Sequence, residues 1–248
     1  MKEVIDNFSG GAENYAMFGP QSPPEIFDFL YSHTPGFNVA WDCGTGNGQV
    51  AAHLADRFTQ VYGTDISREQ MDRAIIKPGI TYMQQRAEST SLASASVDLV
   101  TVAQAIHWFD FAAFFREVQR VCKPGALVAA WTYTTLKFND PVDAVIDELY
   151  SDITLAYWNK ERAYVDSNYS TIPFPLREIV TPGFQIVKQM SLSGLLGYLR
   201  TWSGVHNYVR HKQQDPILLI ADKLHRIWGS DDTKEVTWPV YMRAGYVD

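Results

Sequence analysis

Three glycines at alternate positions, Gly44, Gly46 and Gly48, follow a short apolar segment that ends in Asp42. Glycine is needed where the backbone turns sharply or where a ligand touches it, because a Cβ atom would clash there. The run that begins at Asn47 has apolar residues at helical spacing, and Asn47 is a favourable N-cap. The pattern predicts a strand, a tight glycine loop and a helix whose N-terminus attracts an anionic ligand group.

Two carboxylates accompany this loop, Asp42 before it and Asp65 at the end of a second apolar segment, residues 60–64. The dinucleotide fingerprint has its third glycine three positions after the second and brings backbone against a pyrophosphate. Here the third glycine follows after two positions, and a carboxylate at Asp42 would repel a pyrophosphate. Asp42 suits a ligand with an ammonium group, and Asp65 can accept hydrogen bonds from both ribose hydroxyls. A purely structural glycine turn in another α/β protein is the competing interpretation.

The motif acidic-x-Gly-x-Gly-x-Gly, with an acid at the end of the second strand, resembles the class I S-adenosylmethionine (SAM)-dependent methyltransferases. Within residues 36–133 the chain is similar to the small-molecule branch of trans-aconitate methyltransferase-like, type 11 enzymes. The matching features are the glycine motif, Asp65, Ala87-Glu88, residues 104–108 and residues 123–125. The resemblance implies S-adenosyl-L-methionine as the cofactor and S-adenosyl-L-homocysteine as its product.

The same resemblance implies which side chains meet the cofactor. Ile66 would pack on the adenine, Glu88 would meet the adenine edge, and Tyr15 would lie near the methionine end. An alternative for Tyr15 is an aromatic anchor of the N-terminus. The predicted cofactor-binding residues are Tyr15, Asp42, Gly44, Gly46, Asp65, Ile66, Ala87, Glu88 and Gln104.

The segment at residues 97–103 is a nearly continuous apolar strand, and it places His107 and Trp108 near its carboxyl end. In open α/β sheets, ligands bind at that edge. His107 is the candidate catalytic residue, acting by positioning rather than as a base: a neutral wall and hydrogen-bond donor for a carboxylate. The open alternatives are a general base for a hydroxyl acceptor, or core packing by Trp108 with His107 capping the next helix.

The predicted acceptor is a small molecule that is methylated on a carboxylate or hydroxyl oxygen. Arg177 and Arg200 are candidates to form a bidentate pair with a second carboxylate, unless they are surface residues. The predicted substrate-binding residues are His107, Trp108, Tyr169, Arg177 and Arg200. Alternative functions are C- or N-methylation of a ring metabolite, SAM binding without catalysis, and a dehydrogenase, which the position of the third glycine disfavours.

Strand and helix patterns alternate five times up to residue 133, which predicts a doubly wound, seven-stranded, mostly parallel α/β sheet. Residues 184–190 and 236–246 are predicted as the sixth and seventh strands, with Pro239 at a strand start or a bulge. Residues 137–180 and 191–230 are predicted to be helical cap insertions. We therefore expect one methyltransferase domain over residues 1–248.

Composition limits the partners. The formal charge of −7 over 248 residues argues against a basic surface that would bind nucleic acid. No apolar run in the sequence is long enough for a membrane-spanning helix. Cys43 and Cys122 are predicted to be buried thiols of a reducing compartment, so we expect a cytoplasmic protein, either a monomer or a homodimer. The six histidines lack paired metal-ligand spacing, which predicts no metal site.

Overall fold

The computed structural model describes residues 19–138, 141–230 and 232–248. Its strands are β1 (Val39–Cys43), β2 (Gln60–Asp65), β3 (Ile80–Gln84), β4 (Val97–Ala103), β5 (Cys122–Tyr133), β6 (Arg177–Ile179), β7 (Phe184–Met190) and β8 (Lys234–Tyr246). Its α-helices are α1 (Pro24–His33), α2 (Gln49–Leu54), α3 (Arg68–Asp72), α4 (Phe111–Val121), α5 (Pro141–Glu148), α6 (Arg162–Asp166), α7 (Leu192–Arg200), α8 (Ser203–Lys212) and α9 (Leu218–Trp228). Short turns of 3₁₀ helix lie at Ile106–Trp108 and Leu155–Tyr157, and a π-helical turn lies at Leu149–Ile153.

The strands of the described residues form one sheet in the order β3-β2-β1-β4-β5-β8-β6, and β7 also pairs with β8. Strands β1 to β5 run parallel to one another. Strand β8 is antiparallel to β5, β6 and β7. This topology confirms the predicted doubly wound, mostly parallel sheet.

The outer edge of β8 differs from the predicted seven strands. Strand β7 pairs with residues 234–240 and the short β6 pairs with residues 244–246, so two strands share one side of β8. The sequence predicted β7 and missed β6. A three-residue strand with two exposed side chains carries no periodic signal, and its pairing depends on the length of β8.

The prediction that Pro239 lies at a strand start or a bulge is wrong. Pro239 lies in the middle of β8 and pairs in regular register with Gln185 of β7. The ladder between β5 and β8 ends at Tyr133 opposite Val240, and the Pro239 carbonyl accepts a hydrogen bond from the Thr134 N–H at 3.2 Å. A strand residue directs its N–H and C=O to the same side. The missing N–H of Pro239 therefore faces the side where β5 ends.

Two hydrophobic cores cover the two faces of the sheet, because successive side chains of a strand point to opposite faces. Leu99 and Leu127 belong to one core, whereas their neighbours Val100 and Val128 belong to the other. All four are fully buried. Burial on both faces explains why β4 is mostly apolar and gives no regular alternation in the sequence.

The helices α5 to α9 lie within the two predicted insertions, although β6 also falls in the first of them. Helix α9 packs against α5, and α8 packs against the turn Leu155–Tyr157. The Asn207 Nδ2 donates to the carbonyl oxygen of Tyr157 at 2.9 Å and to Asn159 Oδ1 at 2.8 Å, which joins the two segments. Within the described ranges, no helix has the length and apolar character needed to cross a membrane.

Candidate functional site

A cavity of about 340 Å³ lies at the carboxyl ends of β1, β2 and β4, next to the helical segments. Ligands bind at this edge in open α/β sheets, and the volume is typical of small-molecule sites. The structure brings ten of the predicted residues to this one cavity: Asp42, Gly44, Gly46, Asp65, Ile66, Ala87, Glu88, Gln104, His107 and Trp108.

The glycine loop has the backbone that the motif predicts. Gly44, Gly46 and Gly48 have φ values of +70°, +54° and +79°, in the left-handed region that favours glycine. A Cβ atom on Gly44 would lie 2.5 Å from the Ala105 Cβ, and one on Gly48 would lie 2.8 Å from the Tyr82 Cζ. At Gly46 the nearest atom would be 3.9 Å away. Gly46 therefore keeps an open space toward the cavity, as a cradle for a ligand requires.

The predicted N-cap at Asn47 is wrong, because α2 begins at Gln49 and the left-handed Gly48 occupies the cap position. The expected anion site at this helix end stays a prediction, and three amides that precede the helix are used within the loop. The loop amides of Gly44 and Thr45 donate to the Thr64 carbonyl oxygen at 2.8 and 2.9 Å, and the Gly48 amide donates to the Thr45 carbonyl oxygen at 2.9 Å. These N–H groups hold the loop rather than face a ligand.

Asp65 joins the glycine loop to the start of α3. Its Oδ2 accepts the Gly46 N–H at 2.9 Å and its Oδ1 accepts the Ser67 N–H at 2.8 Å. A carboxylate has two acceptor oxygens, which is the chemistry that binding of two adjacent hydroxyls needs. Ile66 lies beside it, 38% exposed, and offers an apolar surface to the cavity.

Asp42 is buried at the end of β1. Its Oδ2 accepts a hydrogen bond from the Thr45 hydroxyl at 2.5 Å, and its Oδ1 accepts one from the Thr101 hydroxyl at 2.8 Å. Burial raises the pKa of Asp42 to about 6, and the two threonine hydrogen bonds oppose that rise. The carboxylate is therefore ionised at neutral pH and places a negative charge beside the loop.

Two more predicted cofactor residues are tied to the fold at the cavity wall. Glu88 accepts the Asp110 N–H at 3.0 Å, and its second oxygen lies 3.3 Å from Arg86 Nε. Gln104 has a left-handed φ of +54°, which is rare for a residue with a side chain. Its amide accepts from Thr132 Oγ1 at 2.7 Å and donates to the Tyr133 carbonyl oxygen at 3.0 Å, so both groups of the amide are held by β5.

His107 and Trp108 lie in the 3₁₀ turn after β4, and both line the cavity. His107 is 7% exposed, and its Nδ1 shares a hydrogen bond of 2.8 Å with the Tyr169 hydroxyl. Tyr169 is 1% exposed and is not among the described residues that line the cavity. The structure therefore brings Tyr169 to His107 rather than to the cavity wall, which does not support the predicted direct substrate contact.

The two arginines predicted to bind a carboxylate lie elsewhere, because neither is among the described residues that line the cavity. Arg177 is 64% exposed in β6, with its Nε 3.7 Å from Asp248. The Nε of Arg200 donates to Asp215 Oδ2 at 2.9 Å, which satisfies its charge outside the cavity. Tyr15 lies outside the described residues.

The residues that the helical segments contribute to the cavity were not predicted from the sequence. They include Trp158, Arg162, Trp202 and His206. The density of aromatic residues in these segments was a usable signal, since rings in an insertion at a ligand-binding edge commonly line the ligand. No sequence signal distinguished Arg162, because its spacing of four residues from Asp166 resembles that of an ordinary surface ion pair.

The donor set fits SAM, since the cavity offers an open glycine cradle, two carboxylates and an apolar side chain beside one of them. The described residues contain no group of three or more histidine, cysteine or acidic side chains that could hold a metal ion.

Comparisons with known proteins agree with this geometry. Residues 41–130 match the family model described as a methyltransferase domain. A Dictyostelium discoideum protein that bears a provisional methyltransferase name is 31% identical over 245 residues, which cover 96% of this chain and 93% of that protein. The methyltransferase AacuQ of Aspergillus aculeatus is 30% identical over 52% of this chain and 44% of its own length.

Among solved structures, a provisionally named type II methyltransferase from Anaeromyxobacter dehalogenans is 40% identical with a TM-score of 0.85. The match covers 92% of this chain and 97% of that one. The dehydrogenase and the non-catalytic alternatives are thereby set aside. The chain belongs to the class I SAM-dependent methyltransferases.

Proposed function

We propose that this enzyme methylates an oxygen atom of a small-molecule acceptor, either a carboxylate or a hydroxyl. The observation that carries the proposal is that His107 and Trp108 line the same cavity as the loop carboxylates Asp42 and Asp65. When bound, SAM supplies a methyl group on a sulfonium sulfur, which keeps the electron pair of the broken C–S bond in S-adenosyl-L-homocysteine. The protein's task is to align the acceptor and to exclude water, and alignment alone lowers such barriers by roughly 7–11 kcal/mol.

The cofactor end has defined roles in this proposal. Asp65 accepts hydrogen bonds from the ribose hydroxyls while the amides of Gly46 and Ser67 hold it in place. The ionised Asp42 attracts the ammonium group of the methionine moiety. Ile66 packs on the adenine, and Ala87, Glu88 and Gln104 complete the wall.

His107 acts in this proposal as a positioning group for the acceptor. A Tyr169 hydroxyl that donates to Nδ1 leaves the imidazole hydrogen on Nε2, where it can be donated to an acceptor oxygen. A Tyr169 that instead accepts from Nδ1–H would leave Nε2 as a base. A carboxylate acceptor is already anionic at neutral pH and needs no base, so the first arrangement suits it. Trp108 supplies an apolar wall beside the reacting groups.

The wider setting is also part of the proposal. One domain spans residues 1–248, with the segments at residues 137–180 and 191–230 forming a cap over the acceptor. The partner is a small molecule rather than nucleic acid or membrane, in keeping with a formal charge of −7. The chain acts in the cytoplasm as a monomer or homodimer.

The test is to incubate the enzyme with SAM labelled in the methyl group and fractions of small carboxylic and hydroxy acids. We expect a labelled methyl ester, which mild alkali hydrolyses, or a labelled ether, which resists it. His107→Gln should keep most of the activity, and Trp108→Ala should lose more. Label found on nitrogen or carbon would contradict the proposal, as would a rate that rises from pH 6 to 8 only when His107 is present.

Asp65→Ala tests the proposed cofactor contact, and Asp72→Ala is its matched control. Asp65→Ala should weaken SAM binding ten- to a hundredfold, because it removes charge-assisted hydrogen bonds worth about 1.5–3 kcal/mol. Asp72 is exposed and paired only with Arg68 among the described residues, so its loss should leave SAM affinity unchanged. Calorimetry that finds equal affinities in the two variants would remove the assigned role of Asp65.

A further inference from the structure

Gln104, directly after β4, has a strained backbone at the cavity wall. Its φ is +54°, a conformation that crowds any residue with a Cβ atom. Among the described residues, Ala95, Asn168, Tyr169 and Gln213 also have a positive φ, but Gln104 is the one of these five that lines the cavity. Strain of this kind persists only where the surrounding contacts hold it, and it is frequent at functional sites.

Contacts with β5 hold both the backbone and the side chain of Gln104. Its N–H donates to the Trp131 carbonyl oxygen at 2.9 Å. Its Nε2 donates to the Tyr133 carbonyl oxygen at 3.0 Å, and its Oε1 accepts the Thr132 hydroxyl at 2.7 Å. A carbonyl oxygen only accepts, so the bond to Tyr133 fixes the orientation of the amide and makes Thr132 the donor to Oε1. Both groups of the amide thus have a partner within the protein.

Thr132 is fully buried in β5, between Gln104 and the partner of His107. Without its hydroxyl, the Oε1 of Gln104 would face an apolar group, and a buried polar atom without a partner is costly. Burial raises the pKa of Tyr169, and a hydrogen bond with Thr132 opposes that rise. Tyr169 in turn shares its hydrogen bond of 2.8 Å with His107 Nδ1. One hydroxyl therefore reaches both Gln104 and the residue that supports the imidazole.

The residue after Gln104 joins the glycine loop to the turn that carries His107. Ala105 packs so closely on Gly44 that a Cβ atom on the glycine would lie 2.5 Å from the Ala105 Cβ. The Ala105 carbonyl oxygen accepts the Trp108 N–H at 3.0 Å, which starts the 3₁₀ turn. The direction of the chain at residue 104 therefore decides where Ala105 lies against the loop and where the His107 side chain begins.

We propose that Gln104 is a positioning residue whose left-handed backbone aligns the His107 turn with the glycine loop, and that Thr132 holds it in that conformation. This role rests on the proposed function in one respect: SAM binds at the loop and the acceptor lies beside His107. Gln104 acts through its backbone and through Ala105, so its amide serves the protein and not the cofactor. In a direct contact with SAM, the amide itself would decide the affinity.

The experiment compares Gln104→Gly with Gln104→Ala by calorimetry with S-adenosyl-L-homocysteine. Both variants lack the amide, but glycine adopts the left-handed conformation without steric cost. Gln104→Gly should therefore lose at most about threefold in affinity, whereas Gln104→Ala should lose at least about tenfold. Gln85 is the matched control, because it lines the same cavity, Ser91 holds both groups of its amide, and its φ is not positive. At position 85, glycine should bind no better than alanine.

A second measurement follows the imidazole itself. The ring-nitrogen resonances of His107 are recorded by NMR and identified by their absence from the spectrum of His107→Gln. They should stay near their wild-type positions in Gln104→Gly and move in Gln104→Ala, because the turn then shifts and weakens the hydrogen bond to Tyr169. A purely structural role of Gln104 would lower stability without moving these resonances.

Two variants of Thr132 test the residue that holds the turn, and they decide the matter if Gln104→Ala does not fold. Thr132→Val should lose at least about threefold in affinity for S-adenosyl-L-homocysteine, because it removes the donor to Oε1. Thr132→Ser should restore the affinity, because it keeps the hydroxyl. In a Gln104→Gly background, Thr132→Val should cause no further loss, since the amide that it holds is already absent.

Equal affinities of Gln104→Gly and Gln104→Ala would overturn this assignment, as would an unmoved His107 resonance in Gln104→Ala. A loss in Thr132→Val that persists in full in the Gln104→Gly background would overturn the role of Thr132. A wild type that does not bind S-adenosyl-L-homocysteine would contradict the proposed cofactor site, and the His107 resonances would then decide alone. No measurement here uses an acceptor, so failure of the oxygen methylation would show separately, as label on nitrogen or carbon.

Discussion

The two ends of the cavity are built in different ways. The end of the cavity that we propose for SAM, the cofactor end, comes mainly from residues 42–67, in which backbone amides, three left-handed glycines and two carboxylates hold one another. Ala87, Glu88 and Gln104 complete its wall. The end that we propose for the acceptor, the acceptor end, is lined by side chains of distant segments, among them His107, Arg162 and Trp202. The first depends on backbone conformation and the second on side-chain packing. A change in the loop should therefore disturb the fold and the cofactor together, whereas a change in the cap should disturb the acceptor alone.

The largest effect is expected from Gly48→Ala at the cofactor end. A left-handed backbone costs a residue with a Cβ about 1–2 kcal/mol, and the clash with the Tyr82 ring adds about 1–3 kcal/mol. The free energy of unfolding should fall by about 3 kcal/mol in urea titrations. Gly46→Ala meets no atom within 3.9 Å and should lose only the backbone cost, while SAM binding falls at least tenfold. Equal stability of the two variants would refute the steric argument.

A pH effect of similar size is expected from Asp42→Asn. Burial raises the pKa of Asp42 from 3.8 to about 6, so between these values the folded protein binds more protons than the unfolded chain. The unfolding free energy of wild type should thus decrease as pH rises from about 4 to 6, by about 3 kcal/mol from this group. Asp42→Asn should remove that part of the slope. The unfolding free energy is measured by urea titration at pH 4.5, 5.5 and 7. If it changes with pH equally in wild type and Asp42→Asn, Asp42 does not cause the decrease.

A smaller effect, confined to the acceptor end, is expected from Gly204→Ala in α8. A Cβ there would lie 2.7 Å from the Trp158 ring, and such overpacking costs about 1–3 kcal/mol. Displacing Trp158 should reduce turnover of the acceptor about tenfold and leave SAM affinity within about twofold. Gly194→Ala in α7 is the control, since its closest contact would be the Ser191 hydroxyl at 3.3 Å. A comparable loss of SAM affinity in Gly204→Ala would mean that the two ends are not separable.

The smallest effect is expected from Tyr169→Phe. The variant keeps the buried ring and loses the hydrogen bond to His107 Nδ1, which contributes about 1 kcal/mol. Turnover should fall at most about twofold with SAM affinity unchanged, because His107→Gln, which removes the same hydrogen bond, is expected to keep most of the activity. The effect should vanish in a His107→Gln background, because the partner is already absent. An undiminished effect in that background would assign Tyr169 a role that does not pass through His107.

The sequence alone determined the cofactor end and the parallel half of the sheet. A left-handed backbone favours glycine whatever surrounds it, so three glycines at alternate positions, Gly44, Gly46 and Gly48, identify the loop locally. Strand β4 is mostly apolar because both of its faces are covered. Asp65 follows an apolar strand directly, and the end of a strand determines where the next side chain emerges. Each of these features depends on neighbours a few residues away.

Only the tertiary structure decided the acceptor end and the outer edge of β8. Arg162, Arg177 and Arg200 are equivalent in a sequence, and the structure distinguishes them by what lies opposite each guanidinium: the cavity, solvent beside Asp248, or Asp215. Tyr169 lies 62 positions from His107, so no local pattern predicts that it supports the imidazole. The division between β6 and β7 depends on the length of β8, which follows both in the chain. Contacts between distant segments arise from packing, and packing is a property of the folded chain rather than of any stretch within it.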